Sequence, residues 1–192
     1  RLSKINVGGP DDDVIIVTGG QQGVELTIKT LINEGDGVAC ENPSFIGTLN
    51  AIRSYNAKPY GVDMDEDGMN IDKLEDLLSK NKNIKLIYTI PTFQNPTGRT
   101  MSLEKRKRLL EVAKKHDVMV LEDNPYGELR FAGEDVPTIK SLDTENRVIY
   151  VGSFSKIISP GIRVGFVCAE KSLIEKIVVC KQVSDVHTPV LN

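Results

Sequence analysis

The stretch Val148–Val167, VIYVGSFSKIISPGIRVGFV, constrains this chain more than any other. Its first part, Val148 to Gly152, reads as a buried strand, and Arg163 opens a second apolar run that continues to Cys168. Only about ten residues separate the two runs, whereas a parallel crossover needs a dozen or more. They are therefore read as antiparallel or sharply bent neighbours, with Lys156 held in the tight loop between them. Ser153, Ser155 and a Ser-Pro-Gly turn flank that lysine. An amine fixed beside hydroxyls and an arginine is a candidate Schiff-base nucleophile, whereas most lysines are simply solvated.

The rest of the chain alternates apolar runs with helical patterns. Val14–Val17, Gly37–Glu41, Pro59–Val62, Ile84–Ile90 and Val118–Leu121 read as strands. Helical periodicity covers Gln21–Asn33, Phe45–Tyr55, Ile71–Ser79, Leu103–His116 (capped by Ser102) and Lys171–Val186. Such alternation predicts an α/β fold, three layers deep, with a mostly parallel sheet and one antiparallel strand. With 192 residues, 40% of them hydrophobic, one domain spanning residues 1–192 can build a real core.

Charge narrows the function. The net charge of -3 makes no general case for nucleic acid or an anionic membrane. The one basic run, Lys105-Arg106-Lys107-Arg108, reads as a solvated helix face. No apolar run is long enough to span a bilayer. Cys40, Cys168 and Cys180 are odd in number and lack metal-ligand spacing, so reduced thiols of a cytoplasmic protein are expected and no metal site is.

Chemistry-bearing residues gather where the strands end, which is where open α/β sheets bind ligands. Thr18-Gly19-Gly20-Gln21-Gln22-Gly23 enters a helix and bares N–H groups at its positive end, without the Lys-Ser/Thr of a Walker loop. Gln94-Asn95-Pro96-Thr97-Gly98 offers the Asn95 amide in a rigid turn. Asp123 and Tyr126 follow the strand Val118–Leu121; Ser153, Ser155, Lys156 and Arg163 follow Val148–Gly152. An anion cradle, an arginine, a carboxylate, an amide, a phenol and an amine together suit pyridoxal 5′-phosphate. That cofactor needs its phosphate anchored, its ring nitrogen protonated and its aldehyde bound to lysine.

Asn95-Pro96-Thr97-Gly98, Ser153-Phe154-Ser155-Lys156, Arg163 and Glu122–Leu129 resemble the large, cofactor-binding domain of the fold type I pyridoxal-phosphate aminotransferases, class I/II. Within them the chain is most similar to the 2-aminoadipate/kynurenine aminotransferase group. The resemblance implies an enzyme that moves an amino group between an amino acid and a 2-oxo acid through a pyridoxal-phosphate Schiff base. Lys156 would form that Schiff base and shuttle the proton, Asp123 would pair with the pyridinium nitrogen, and Asn95 and Tyr126 would bond the ring oxygen. Gly20 and Gln21, with Ser153, Ser155 and Arg163, would hold the phosphate, and Phe45 would stack on the ring. Two positions depart from the pattern: Gly20 stands where a hydroxyl residue is frequent, and Phe45 where tyrosine is frequent.

The resemblance further implies a homodimer whose N-terminal arm and C-terminal small domain lie outside this chain, so that the 192-residue fragment alone is inactive. Two rival readings share the fold. One is a β-elimination or C–S lyase using the same lysine. The other is the sensor domain of a winged-helix transcription regulator, a class that often alters the Asn-Pro-Thr-Gly stretch kept intact here.

Overall fold

The computed structural model describes residues 2–190; Arg1, Leu191 and Asn192, at the ends of the expected domain, lie outside the described residues. In chain order the long elements begin with β1 (Asp12–Val17), α1 (Gly20–Leu31), β2 (Gly37–Asn42), α2 (Ile46–Ser54), β3 (Lys58–Asp65), β4 (Gly68–Met69) and α3 (Ile71–Lys80). They continue with β5 (Ile84–Thr89), α4 (Leu103–His116), β6 (Met119–Asn124), α5 (Ile139–Leu142), β7 (Val148–Ser153), β8 (Gly165–Glu170) and α6 (Lys171–Gln182).

Among the described residues one sheet runs in the order β1-β8-β7-β6-β5-β2-β3-β4. Strands β3, β2, β5, β6 and β7 are parallel. The short return through Lys156 makes β7 and β8 antiparallel neighbours, as its length demands, in register from Tyr150↔Cys168 to Ser153↔Gly165. β8 is also antiparallel to β1, so β1 shares the direction of the parallel set. Sequence periodicity gave no sign of β4, a two-residue strand folded back on β3.

Side chains alternate strictly across the sheet, and this divides the core into two. Val38, Cys40, Leu86, Tyr88, Leu121 and Ile149 pack on one side with Val24 and Ile28 of α1, Ile52 of α2 and Ile177 of α6. Their neighbours Ala39, Ile87, Val120 and Val148 face the other way, onto Leu74 of α3, Leu109 and Val112 of α4 and Ile139 of α5. Strands covered on both faces carry the continuous apolar runs seen in the sequence. The result is three layers, α/β/α.

Several local expectations are corrected. Arg106 is not solvated: it is fully buried, donating to the carbonyls of Met101, Pro91 and Pro137 at 3.0, 2.8 and 2.9 Å and to Thr92 Oγ1 at 2.9 Å. The helical period explains it, because position 106 shares a face with Leu109 and Ala113. β6 runs on to Asn124, so Asp123 lies within the strand rather than beyond it. Arg163 does not open β8; it ends a 3-10 turn, Pro160–Ile162, in a left-handed conformation (φ 49°), and the strand starts at Gly165. α6 ends at Gln182 rather than Val186, because Asp185 turns back onto the loop after β1.

Candidate active site

The chain leaves β2 outward to β3 and β4, then restarts at β5 and winds the opposite way to β6 and β7. A sheet wound in two directions opens a crevice at the carboxyl ends of the strands where the order reverses. At that edge lie Asn42, Thr89, Asp123 and Ser153. Val17 and Ser153 both stand opposite Gly165, which brings the loop after β1 beside the end of β7. The residues singled out in the sequence, scattered over Gly20–Arg163, therefore share one edge of one sheet.

Asp123 is buried, and Tyr88 Oη, on the adjacent strand β5, donates to its Oδ2 at 2.9 Å. Burial pushes the carboxyl up to about 6, against the lowering effect of the Tyr88 hydrogen bond. A cationic partner arriving there would restore the carboxylate. Asn95 Nδ2 donates to Tyr126 Oη at 3.3 Å, so the two residues expected at the ring oxygen lie beside each other. Behind Asn95, Glu41 at the end of β2 accepts from Thr89 Oγ1 (2.5 Å), Ile90 N (3.2 Å) and Gln94 Nε2 (3.1 Å). Gln94 Oε1 in turn accepts from Thr97 N and Thr97 Oγ1 at 2.9 and 2.7 Å, which braces the turn from inside. Burial drives the Glu41 carboxyl up to about 7.

The other end is built from backbone. Gly19 has φ 78°, a conformation that favours glycine, and a Cβ there would lie 2.4 Å from Arg163 Nη2. Arg163 Nη2 donates to Thr18 O at 3.4 Å, which holds the guanidinium against the loop. A Cβ on Gly20 would lie 3.4 Å from the Cβ of Ser153, so the first residue of α1 adjoins the end of β7. Gln22 N already donates to Gly19 O (3.2 Å), leaving the Gly20 and Gln21 amides at the open N-terminus of a twelve-residue helix. Ser153 Oγ accepts from Ser155 N at 3.1 Å.

Phe45 and Gln21 meet at the start of α2. Phe45 is the residue before that helix, half-buried against the core, and Gln21 Nε2 donates to Gly47 O at 3.2 Å. The Gln21 side chain thus joins two helices. Lys156 is exposed on the turn after β7 and, among the described residues, makes no hydrogen bond or ion pair. The structure thus joins Asn95 to Tyr126, Gly20 to Ser153, and Arg163 to the glycine loop, and leaves Lys156 free on its turn.

Tyr88 and Glu41 were missed in the sequence. Each is the next-to-last residue of its strand, where a polar group ending an apolar run was the one available signal. A cofactor with a phosphate, a basic ring nitrogen and an aldehyde fits this donor set. The glycine cradle and Arg163 suit the anion, the buried Asp123 carboxyl suits a cationic nitrogen, and Lys156 is the accessible amine.

The profile for aminotransferases of class I and II matches residues 7–191. Aromatic-amino-acid aminotransferase 1 of Thermococcus litoralis is 45% identical over 180 residues, which are 92% of this chain and 43% of that protein. The solved kynurenine aminotransferase of Pyrococcus horikoshii, in complex with PMP, superposes with a TM-score of 0.94 at 40% identity, covering 97% of this chain and 47% of that one. The α-aminoadipate aminotransferase of Thermus thermophilus, complexed with N-(5′-phosphopyridoxyl)-L-leucine, gives 0.89 at 40% identity, covering 93% and 46%. The chain thus spans about half the length of the relatives it matches. Its three-layer sheet, its crevice residues and these likenesses agree, and the chain belongs to the class I and II aminotransferase family.

Proposed function

We propose that this chain is the cofactor-binding large domain of an aminotransferase that exchanges an amino group between an amino acid and a 2-oxo acid. The observation that carries it is the buried Asp123, held by Tyr88 at the same sheet edge as the Asn95–Tyr126 pair and the glycine loop. Pyridoxal phosphate, when bound, supplies an aldehyde and an electron-withdrawing ring. The Gly20 and Gln21 amides, Ser153, Ser155 and Arg163 hold the phosphate. Asp123 keeps a proton on the ring nitrogen, Asn95 and Tyr126 orient the ring oxygen, and Phe45 covers a face. Lys156 Nζ, which has no competing partner among the described residues, would be the amine that holds the aldehyde and, when released from it, the base that carries the substrate Cα proton.

The same proposal extends to partners and place. Val14 and Ile16 are 40% and 49% exposed on the edge strand β1, and Ile16 lines one hollow with exposed Val186 and Val190. An apolar sheet edge of this kind is normally covered, and a second copy of the chain is the occupant we propose. The free thiols of Cys40 and Cys168, pushed by burial to about 12 and about 11, are inert and suit a cytoplasmic protein.

The test is borohydride reduction of the cofactor-loaded protein followed by peptide mapping. The label is expected on Lys156; recovery on another lysine overturns the assignment. In the full-length protein, turnover that requires a 2-oxo acid acceptor is expected, whereas acceptor-independent release of pyruvate and ammonia would identify a lyase.

A further inference from the structure

The end of α6 closes a clamp on the glycine loop. Asp185 Oδ2 accepts from Thr18 Oγ1 at 2.6 Å and from Gln22 Nε2 at 2.8 Å. Gln22 Oε1 accepts from Thr18 N at 2.7 Å, so the two ends of the segment Thr18–Gln22 are tied both to each other and to Asp185. Lys181, nearly fully buried, donates from Nζ to Asp185 Oδ1 at 2.6 Å and to Gln22 Oε1 at 3.1 Å. The carboxylate beside the anion cradle is thereby neutralised. Between the two tied ends stand Gly19, in a left-handed conformation, and Gly20 and Gln21, the first residues of α1, and the two glycines have no side chain of their own to hold the segment.

We propose that Asp185 is a positioning residue for phosphate binding: it holds Thr18 and Gln22 so that the Gly20 and Gln21 amides stay converged on an anion. The inference depends on the cofactor reading above, since it concerns the phosphate of pyridoxal phosphate. Preorganised donors bind tightly because the cost of ordering the loop has already been met. Electrostatics alone predicts the opposite result for the loss of Asp185. Removing a negative charge near the cradle, and freeing the positive charge of Lys181, would strengthen the binding of an anion. The sign of the effect therefore separates positioning from charge.

The experiment compares pyridoxal phosphate with phosphate-free pyridoxal, each titrated by absorbance against the protein, Asp185→Ala and Thr18→Val. For Asp185→Ala the Kd for pyridoxal phosphate is expected to rise about tenfold, and the inhibition constant of inorganic phosphate as competitor in step, with the Kd for pyridoxal unchanged within about twofold. Thr18→Val, which removes one bond of the clamp, should give about threefold in the same direction. The double variant should be little worse than Asp185→Ala alone, because the two residues share that bond. An unchanged or tighter Kd for pyridoxal phosphate in Asp185→Ala overturns the proposal. So does an equal loss for pyridoxal, which would signal general damage to the site. If the unaltered protein binds pyridoxal but gains nothing from the phosphate, the clamp is refuted and the lysine assignment survives; if it binds neither, the cofactor reading falls with it.

Discussion

Asp123 and Lys156 stand at two ends of one crevice but are held by different means. Asp123 lies inside β6, under the Tyr88 hydroxyl, in a part of the molecule where the neighbouring carboxyl of Glu41 is also buried and fully bonded. Lys156 stands on an exposed turn, and the groups around it are placed by backbone: a left-handed Gly19, a left-handed Arg163 and the amides that open α1. The core thus preorganises the end proposed for the ring, at the cost of burying groups that resist ionisation. The phosphate end leaves its charged donors in water until an anion displaces it. Function and stability should accordingly separate at one end and be coupled at the other.

The sharpest contrast is Lys156→Ala. In the full-length protein it should lower turnover by more than ~10⁴-fold, since in the proposed function it removes a covalent nucleophile together with an acid–base group that alone contributes ~10²–10⁴-fold. Its thermal midpoint should match that of the parent, because an exposed side chain without partners leaves no gap. A drop of several degrees would show that the turn depends on that lysine. Next comes Asp123→Asn, expected to slow proton abstraction by roughly 10³-fold through loss of a positioned charge. Single-turnover kinetics would check it, and a near-normal rate would mean that the ring nitrogen has another partner.

Glu41→Gln tests the coupling at the buried end. Burial holds the Glu41 carboxyl at about 7, against an ordinary 4.5. Between those values the native state keeps a proton that the unfolded chain has released, so this group's contribution to stability is lost as the pH rises through that window. Glutamine can accept from Ile90 N and Gln94 through its oxygen and donate to Thr89, but it has no proton to lose. Urea unfolding at about pH 5 and about pH 8 should show the variant gaining on the parent by on the order of 3 kcal/mol. Parallel pH dependences would place the titration elsewhere.

The smallest expected effect is that of Tyr88→Phe. Without its hydroxyl the Asp123 carboxyl should titrate still higher than its present value of about 6, moving the acid limb of cofactor binding to higher pH. Affinity should fall by roughly tenfold or less, the usual net worth of a single hydrogen bond. A binding profile with an unmoved acid limb would show that the Tyr88 bond does not act on Asp123.

Much of this molecule is legible locally. Continuous apolar runs announced the doubly covered strands, and the shortness of the link through Lys156 alone required β7 and β8 to be antiparallel. The candidate residues could be named because most lie at or just after the carboxyl end of a strand, and parallel winding carries such positions to one edge. Exposed groups such as Lys156 lose nothing in that reading, since their neighbours are also their neighbours in sequence.

What the sequence did not reveal is the identity of buried polar partners. Arg106 looked like one cation among four, and only packing shows it gathering carbonyls from Pro91, Met101 and Pro137 around the Asn95 turn. Tyr88 with Asp123, and Asp185 with Thr18, join residues 35 and 167 positions apart. A buried polar group must find a partner, but which partner depends on the strand order and on where each helix ends. The sequence by itself therefore determined the layers, the return at Lys156 and the chemical set at the strand ends, because these follow from periodicity and chain length. The tertiary structure alone decided which of those groups are held, neutralised or left free, because that depends on contacts between segments that no local pattern encodes.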